Sequence, residues 1–501
     1  MSRAPAAAQP GLPADERQYS FVPSTQQCVI ERPPTPPAAW WRWAVVLVPG
    51  LLLYFFAVPG LNTAQEHLFA IFAATIIALV AQPVRMGASV LLATTLLALT
   101  GTLTPARVLG GFGNITVWLI FTAFLFSRAV TQTGFGMRVG YLFIERFGRT
   151  PLRLGYSLAA ADLVLAPFIP SDTARGGGVV YPVTRSVASA FGSEPGPTAG
   201  KIGSFLILVS FHTTYPASAM FLTGMAANPL MAEFALKIGH VDLTWGRWLA
   251  ASIVPGLLTL AIVPWLLLRL VRPELQHTEE ARAMARVELA RRGPMKRAEK
   301  WLVAIMLGVM TGWVTSPLHG VSNTFVALSG LCALLLARVI DWDDLLDEHR
   351  AWDALIWFAP LVMMSDAMNE NGTIKVLSGG LFAAVHGWAW PLAMLALVTA
   401  YCYVHYGFAS MTGHATALYP AFLAATLAAG VPPVMAALAL AFFSNLNAAM
   451  THYGTGSAPV FFGAGYVTQG EWWRLGFLIS LVNLVIWLGI GPVWWKIVGI
   501  W

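Results

Sequence analysis

From Trp40 onward the chain is a succession of long apolar segments separated by short polar ones. Apolar stretches fall at 40–58, 67–82, 86–103, 114–133, 155–182, 201–222 and 246–270. They resume at 301–316, 322–339, 352–368, 383–421, 432–450 and 472–498. A helix needs ~20 apolar residues to cross a bilayer, so the pattern predicts an all-α polytopic membrane protein with about 11 transmembrane helices. Two stretches depart from it. Residues 1–39 are polar, hold eight prolines and lack the apolar core of a signal peptide, which predicts a disordered cytoplasmic tail. Residues 271–300 carry eight Lys/Arg and five Asp/Glu, which predicts a cytoplasmic amphipathic linker. The chain thus divides into a first transmembrane half, 40–270, and a second, 301–501.

Some apolar segments are poor lipid-facing helices. Residues 165–182 (LAPFIPSDTARGGGVVYP) and 405–420 (HYGFASMTGHATALYP) are too polar and too rich in Gly and Pro. Pro216, Gly224 and Pro229 interrupt 209–229, as Gly454, Gly456 and Pro459 interrupt 443–459. Irregular backbone at membrane depth survives only inside protein or along a wet cavity. Two re-entrant hairpins, about 155–182 and 401–421, and two broken helices are therefore expected. The four stretches also pair. Ser127 and Gly134 match Ser365 and Gly372 at an offset of 238, and Pro182 matches Pro420 at the same offset. Ser171-Asp172-Thr173 matches Ser410-Met411-Thr412 at 239, and Phe211, Thr223 and Gly224 match Phe443, Thr455 and Gly456 at 232. Order and near-constant offset indicate an internal duplication. With an odd number of spans per copy, the second enters the membrane upside down, the inverted-repeat plan of secondary transporters.

Composition narrows the function. Of 501 residues 57% are hydrophobic and 11% charged, against ~25% charged in a soluble chain. That excludes a soluble enzyme, a disordered chain and a disulfide-rich secreted protein. The net charge of +6 is spread over loops and predicts no nucleic-acid partner. Cys28, Cys332 and Cys402 are too far apart for a disulfide framework or a zinc site. Hydrolase, nucleotide and dinucleotide motifs are absent, so an enzyme or an ATP-driven pump is not expected. Ser410 with His414 is the one adjacent nucleophile–base pair, and it keeps an intramembrane hydrolase as a distant reading.

The two tips carry the chemistry. Ser171, Thr173, Ser410 and Thr412 offer hydroxyls, and re-entrant helix ends offer free N–H groups and positive dipole ends. Arg175 and His414 stand beside them. Such a pocket suits a carboxylate, and two related tips suit a ligand with an anionic group at each end. Structural readings stand alongside: Ser and Thr bonding to their own helix, Arg175 reaching an interface, His414 and His452 as core histidines, Asp162 and Asp366 as helix-end groups. The Gly-flanked breaks in both halves favour binding.

At these residues the chain resembles the divalent anion/sodium symporter (DASS) family, most like the branch of bacterial citrate/succinate and tartrate/succinate antiporters and plastid 2-oxoglutarate/malate translocators. PSDTARGGGVVYP (170–182), FLTGMAANP (221–229), FASMTGHATALYP (408–420) and THYGTGSAPVFFGAGYV (451–467) carry the resemblance. It implies a homodimer with a scaffold and a transport (elevator) domain, and no cofactor. Substrate would be bound by Ser171, Asp172, Thr173, Ser410, Met411 and Thr412. The partner loops would be Thr223-Gly224 with Asn228, and Thr455-Gly456 with Pro459. In a symporter, sodium sites would lie around Ser171, Asp172, Gly224, Ser410 and Gly456. Asp172 and Met411 depart from the family's Asn, which disfavours sodium. Arg175 and His414 are expected to supply fixed positive charge instead, Arg175 also offsetting Asp172. The expected function is exchange of di- or tricarboxylates (malate, succinate, 2-oxoglutarate, tartrate or citrate class). Sodium symport and an anion channel are the alternatives. The expected location is a bacterial inner membrane, with the N-terminus cytoplasmic and the C-terminus periplasmic.

Overall fold

The computed structural model describes residues 40–501; the 1–39 tail lies outside the described residues. Among the described residues every regular element is helical. The first half comprises α1 Trp40–Phe55, α2 Thr63–Ala81, α3 Met86–Leu99, α4 Pro105–Gly110, α5 Ile115–Thr133, α6 Phe135–Phe147, α7 Pro151–Leu165, α8 Tyr181–Ala190, α9 Gly203–Met220, α10 Ala227–Gly239 and α11 Trp245–Val271. A π-helical stretch, Thr173–Val180, leads into α8. The linker forms α12, Glu279–Arg292. The second half comprises α13 Arg297–Val314, α14 Ser316–His319, α15 Asn323–Leu336, α16 Trp342–Asp347, α17 His349–Glu370, α18 Thr373–Ala383, α19 Trp390–Val404, α20 Met411–Ala428, α21 Pro433–Leu446, α22 Ala458–Phe462, α23 Gln469–Leu484 and α24 Gly491–Ile497.

One pair of helices that the repeat offset relates, α5 and α17, runs in opposite directions. Near the end of α5, Arg128 and Gln132 bond to Asp344, just before α17 begins. At the opposite end, Asn114, which caps the start of α5, bonds to Glu233 of α10, and Glu233 shares Lys237 with Asp366 near the end of α17. Helices α5 and α17 are therefore antiparallel. Glycines with positive φ, Gly134 at 70° and Gly372 at 83°, end each of them and turn the chain into α6 and α18. Glycine is favoured there because it has no Cβ to clash in the left-handed region.

The membrane character is visible on the surface. Leu47, Val48, Leu51 and Leu52 of α1 and Leu91, Leu92 and Leu96 of α3 are exposed, as helices facing hydrocarbon require. Among the described residues four helices are long and apolar enough to cross a bilayer: Thr63–Ala81, Ile115–Thr133, Trp245–Val271 and the continuous Gln469–Ile497. The expectation of about 11 such spans is not met helix by helix. The other elements are shorter, broken or charged at one end: α9 and α21 are buried in protein along most of their length, whereas α1 and α3 keep apolar side chains on the outside. The hairpins are also longer than expected, running from α7 through α8 and from α19 through α20, because their polar motifs mark only the tips. The linker helix packs on protein: Ala281 and Ala285 are buried against α6, and Arg282 donates to the Glu145 carbonyl.

Candidate functional site

Each hairpin turns at a proline- or glycine-rich tip. After α7, Pro167 and Pro170 prevent the helix from continuing, and the chain restarts at Ser171. After α19, a short 3₁₀ turn, His405–Gly407, leads to Ser410, the N-cap of α20. The Ser171 Oγ accepts the Ala174 N–H at 3.2 Å, and the Ser410 Oγ accepts the Gly413 N–H at 3.2 Å. A hydroxyl used as acceptor keeps its own proton to donate. Each serine thus ties down one amide of its helix start and still offers an O–H outward.

Both tips line one cavity of about 330 Å³. The first contributes Pro170, Ser171, Asp172 and Thr173; the second contributes Ala409 to Gly413. The two broken helices add Met225 and Ala226 on one side and Thr455 and Gly456 on the other. Among the described residues the Thr173 and Thr412 hydroxyls have no hydrogen-bond partner and are not shut away from the cavity. A Cβ on Gly456 would collide with the Thr173 hydroxyl, so a glycine is required at that close approach.

Asp172 is the one acidic or basic side chain in the lining. Its Oδ2 accepts from the Thr455 hydroxyl and, at 2.7 Å, from the Ser457 hydroxyl. Arg175 does not meet it. The guanidinium is fully buried and paired with Asp162, Nε to Oδ1 at 2.7 Å. Its remaining donors go to the Ile169, Gly224 and Thr214 carbonyls and to Ser218 Oγ at 2.7 Å. The expectation that Arg175 faces the ligand and offsets Asp172 is therefore corrected. With its donors committed, it clamps the first tip to α9 and to the break that follows.

His414 is corrected in the same sense. It is fully buried, outside the cavity lining, with Nδ1 2.9 Å from His405 Nδ1 and 3.0 Å from Asn447 Nδ2. His405 Nε2 in turn lies 2.8 Å from the Gly454 carbonyl. His414 thus anchors the second tip to the second break, as Arg175 anchors the first, and Ser410 is not paired with it as a hydrolytic dyad. Three further expected ligands are also supports. Thr223 donates to the Pro167 carbonyl. Asn228 donates to the Ser218 and Phe221 carbonyls and accepts from Asn445. Pro459 gives its carbonyl to the Gly463 N–H. The Gly224 carbonyl, expected near sodium, is engaged by Arg175. Ser171, Asp172, Thr173, Ser410, Met411, Thr412 and Thr455 do come together.

Sequence reasoning missed Gln82 and Met86 beyond α2, Phe124 on α5 and Trp357 on α17, which complete the walls. Gln82 gives no sequence signal; its φ of 47° marks it only in the structure. Phe124 and Trp357 were detectable, being 233 residues apart and so within the range of the repeat offset.

Comparisons with known proteins agree with this architecture. The family described as "Sodium:sulfate symporter transmembrane region" matches residues 37–501. The chain is 47% identical over 467 residues to YflS of Bacillus subtilis (strain 168), a protein named for malate transport, covering 91% of this chain and 98% of that one. It is 42% identical over 482 residues to dicarboxylate transporter 1, chloroplastic, of Arabidopsis thaliana, covering 93% and 86%. It is 31% identical over 484 residues to the L-tartrate/succinate antiporter of Shigella boydii serotype 4 (strain Sb227), covering 92% and 99%. Among solved structures, the Alcanivorax borkumensis YdaH transporter superposes with a TM-score of 0.55 at 15% identity, over 91% of this chain and 97% of that one. That likeness is one of fold.

Proposed function

The chain belongs to the sodium:sulfate symporter transmembrane family, and from that premise we propose that it is a membrane carrier that exchanges one dicarboxylate for another. The single observation that carries this reading is the meeting of Ser171 and Thr173 with Ser410 and Thr412, from opposite halves, around one cavity. A dicarboxylate presents a carboxylate to each tip. Each end meets hydroxyl donors and the positive end of a helix. Relatives named for malate, dicarboxylate and tartrate/succinate transport support the substrate class, and the last of these supports antiport. Transport rather than catalysis fits a cavity in which the serines have no base to activate them.

Mechanism follows from the same geometry. The hairpins, with α9, α10, α21 and α22, form the body that carries substrate; α5 and α17 with their neighbours form the frame. In an elevator the loaded body slides past the frame. The cavity reaches Leu79, Gln82 and Met86, at the ends of α2 and α3 that lie on the linker side. With the basic linker cytoplasmic, this is the inward-facing state, and Trp501 lies at the periplasmic side. The working unit is a homodimer in the inner membrane.

Proteoliposomes loaded with one dicarboxylate test the reading. Labelled dicarboxylate should enter only when an unlabelled one is present inside, and uptake should be saturable and independent of sodium. Uptake driven by a sodium gradient into empty vesicles would make the protein a symporter, and an ohmic current without trans-stimulation would make it a channel.

A further inference from the structure

The two tips are matched in fold but opposite in chemistry at one position. Ser171 lines up with Ser410 and Thr173 with Thr412, yet between them stands Asp172 on one tip and Met411 on the other. Both line the cavity and both are nearly buried, at 6% and 3% exposure. Asp172 is held rigidly: Thr455 and Ser457, from the broken helix of the other half, both donate to Oδ2. Among the described residues Oδ1 receives no hydrogen bond, and it is not sealed away from the cavity. The site therefore offers one fixed, unsatisfied acceptor amid hydroxyl donors, at one end only.

An acceptor is a poor neighbour for a carboxylate. It repels the ligand's charge and, left unpaired when the cavity is filled, it loses its water without replacement. Both costs fall if the ligand brings a donor to that point. In a dicarboxylate the group that does so is a hydroxyl on the carbon next to the carboxylate. At the other tip the Met411 thioether faces the ligand, so a second hydroxyl would be buried against an apolar side chain without a partner.

We propose that Asp172 is the specificity-determining residue of this carrier and selects monohydroxylated dicarboxylates, of which malate is the simplest. The ligand hydroxyl donates to Asp172 Oδ1 while the adjacent carboxylate is held by Ser171 and Thr173. The far carboxylate goes to Ser410 and Thr412, with its unsubstituted carbon against Met411. Asp172 thus both rewards the hydroxylated substrate and penalises the bare one. This rests on the dicarboxylate-exchange reading and deepens it.

The test is competition in proteoliposomes containing the full-length protein, with unlabelled malate inside and labelled malate outside, and with malate, succinate or tartrate as competitor. Malate should compete better than succinate and tartrate by ~10-fold or more, the worth of one hydrogen bond to a charged group. Asp172→Asn, whose amide donates to a carboxylate, should bring the malate-to-succinate ratio to within about twofold, chiefly by improving succinate. Thr173→Ala should weaken both competitors alike and leave their ratio unchanged. Succinate competing as well as malate in the wild type would overturn the proposal without need of any variant. So would an active Asp172→Asn protein that keeps the wild-type ratio. Failure of the wild type to exchange any dicarboxylate would instead overturn the underlying transport reading.

Discussion

The hydroxyls of Ser171 and Ser410 occupy equivalent positions on opposite halves, each accepting the backbone N–H three residues on at 3.2 Å. The cap organises the start of each returning helix and orients the remaining O–H into the shared cavity. The next hydroxyls, Thr173 and Thr412, make no such local bond and serve only the cavity. Thr412→Ala should raise the apparent KM for dicarboxylate by ~10- to 100-fold, with thermal unfolding in detergent unchanged. Ser410→Ala should show the same transport defect plus a loss of stability of ~1 kcal/mol from the missing cap. Equal unfolding curves for the two variants would deny the cap its role.

The buried pair of Arg175 and Asp162 predicts a stability defect rather than a binding defect. Removing one partner of a buried ion pair costs ~3–5 kcal/mol, because the other charge is left unpaired, whereas removing both costs less. Arg175→Ala should therefore yield little folded protein. Arg175→Ala combined with Asp162→Asn should recover part of it, and Arg175→Ala combined with Asp172→Asn should not. Fluorescence-detected size exclusion and thermal unfolding distinguish these outcomes.

Lys237 of α10 bridges to Asp366 of α17 at 2.5 Å and to Glu233 at 2.6 Å, on the side of the protein away from Gln82. If α10 moves with the substrate and α17 stays with the frame, this contact must break at each turn of the cycle. A partly exposed pair is worth ~1 kcal/mol or less. Lys237→Ala should shift the population away from the inward-facing state by up to ~5-fold. Labelling of a cysteine at position 82, with the native cysteines replaced by serine, should slow accordingly. Unchanged labelling would remove the pair from the cycle.

Gly456→Ala should weaken exchange at least as much as Thr173→Ala does, since its Cβ would displace the Thr173 hydroxyl. Gly178→Ala, where an added Cβ meets nothing within 4 Å, should transport normally. Loss of exchange in both would point to a general need for glycine in these segments rather than to the Thr173 contact.

Much was already legible in the one-dimensional pattern. Apolar segment lengths determined an all-helical membrane chain, because a bilayer admits few other solutions. The repeat offset paired Ser171-Asp172-Thr173 with Ser410-Met411-Thr412, and Gly/Pro interruptions marked both tips and both breaks. These are local properties: a proline stops a helix wherever it lies. What only the tertiary structure decided is which side chain faces which. Arg175 and Asp172 are three residues apart in sequence, and a charged pair was the natural expectation. In the fold Asp162 comes back along α7 to take the guanidinium, while Asp172 turns to hydroxyls 283 and 285 residues away. His414, Thr223 and Asn228 likewise proved to be braces behind the cavity, and Gln82, Phe124 and Trp357 its walls. Partners so distant in the chain are chosen by how the halves pack, and buried charges go wherever packing satisfies the most hydrogen bonds. Spacing along the chain carries no record of that choice.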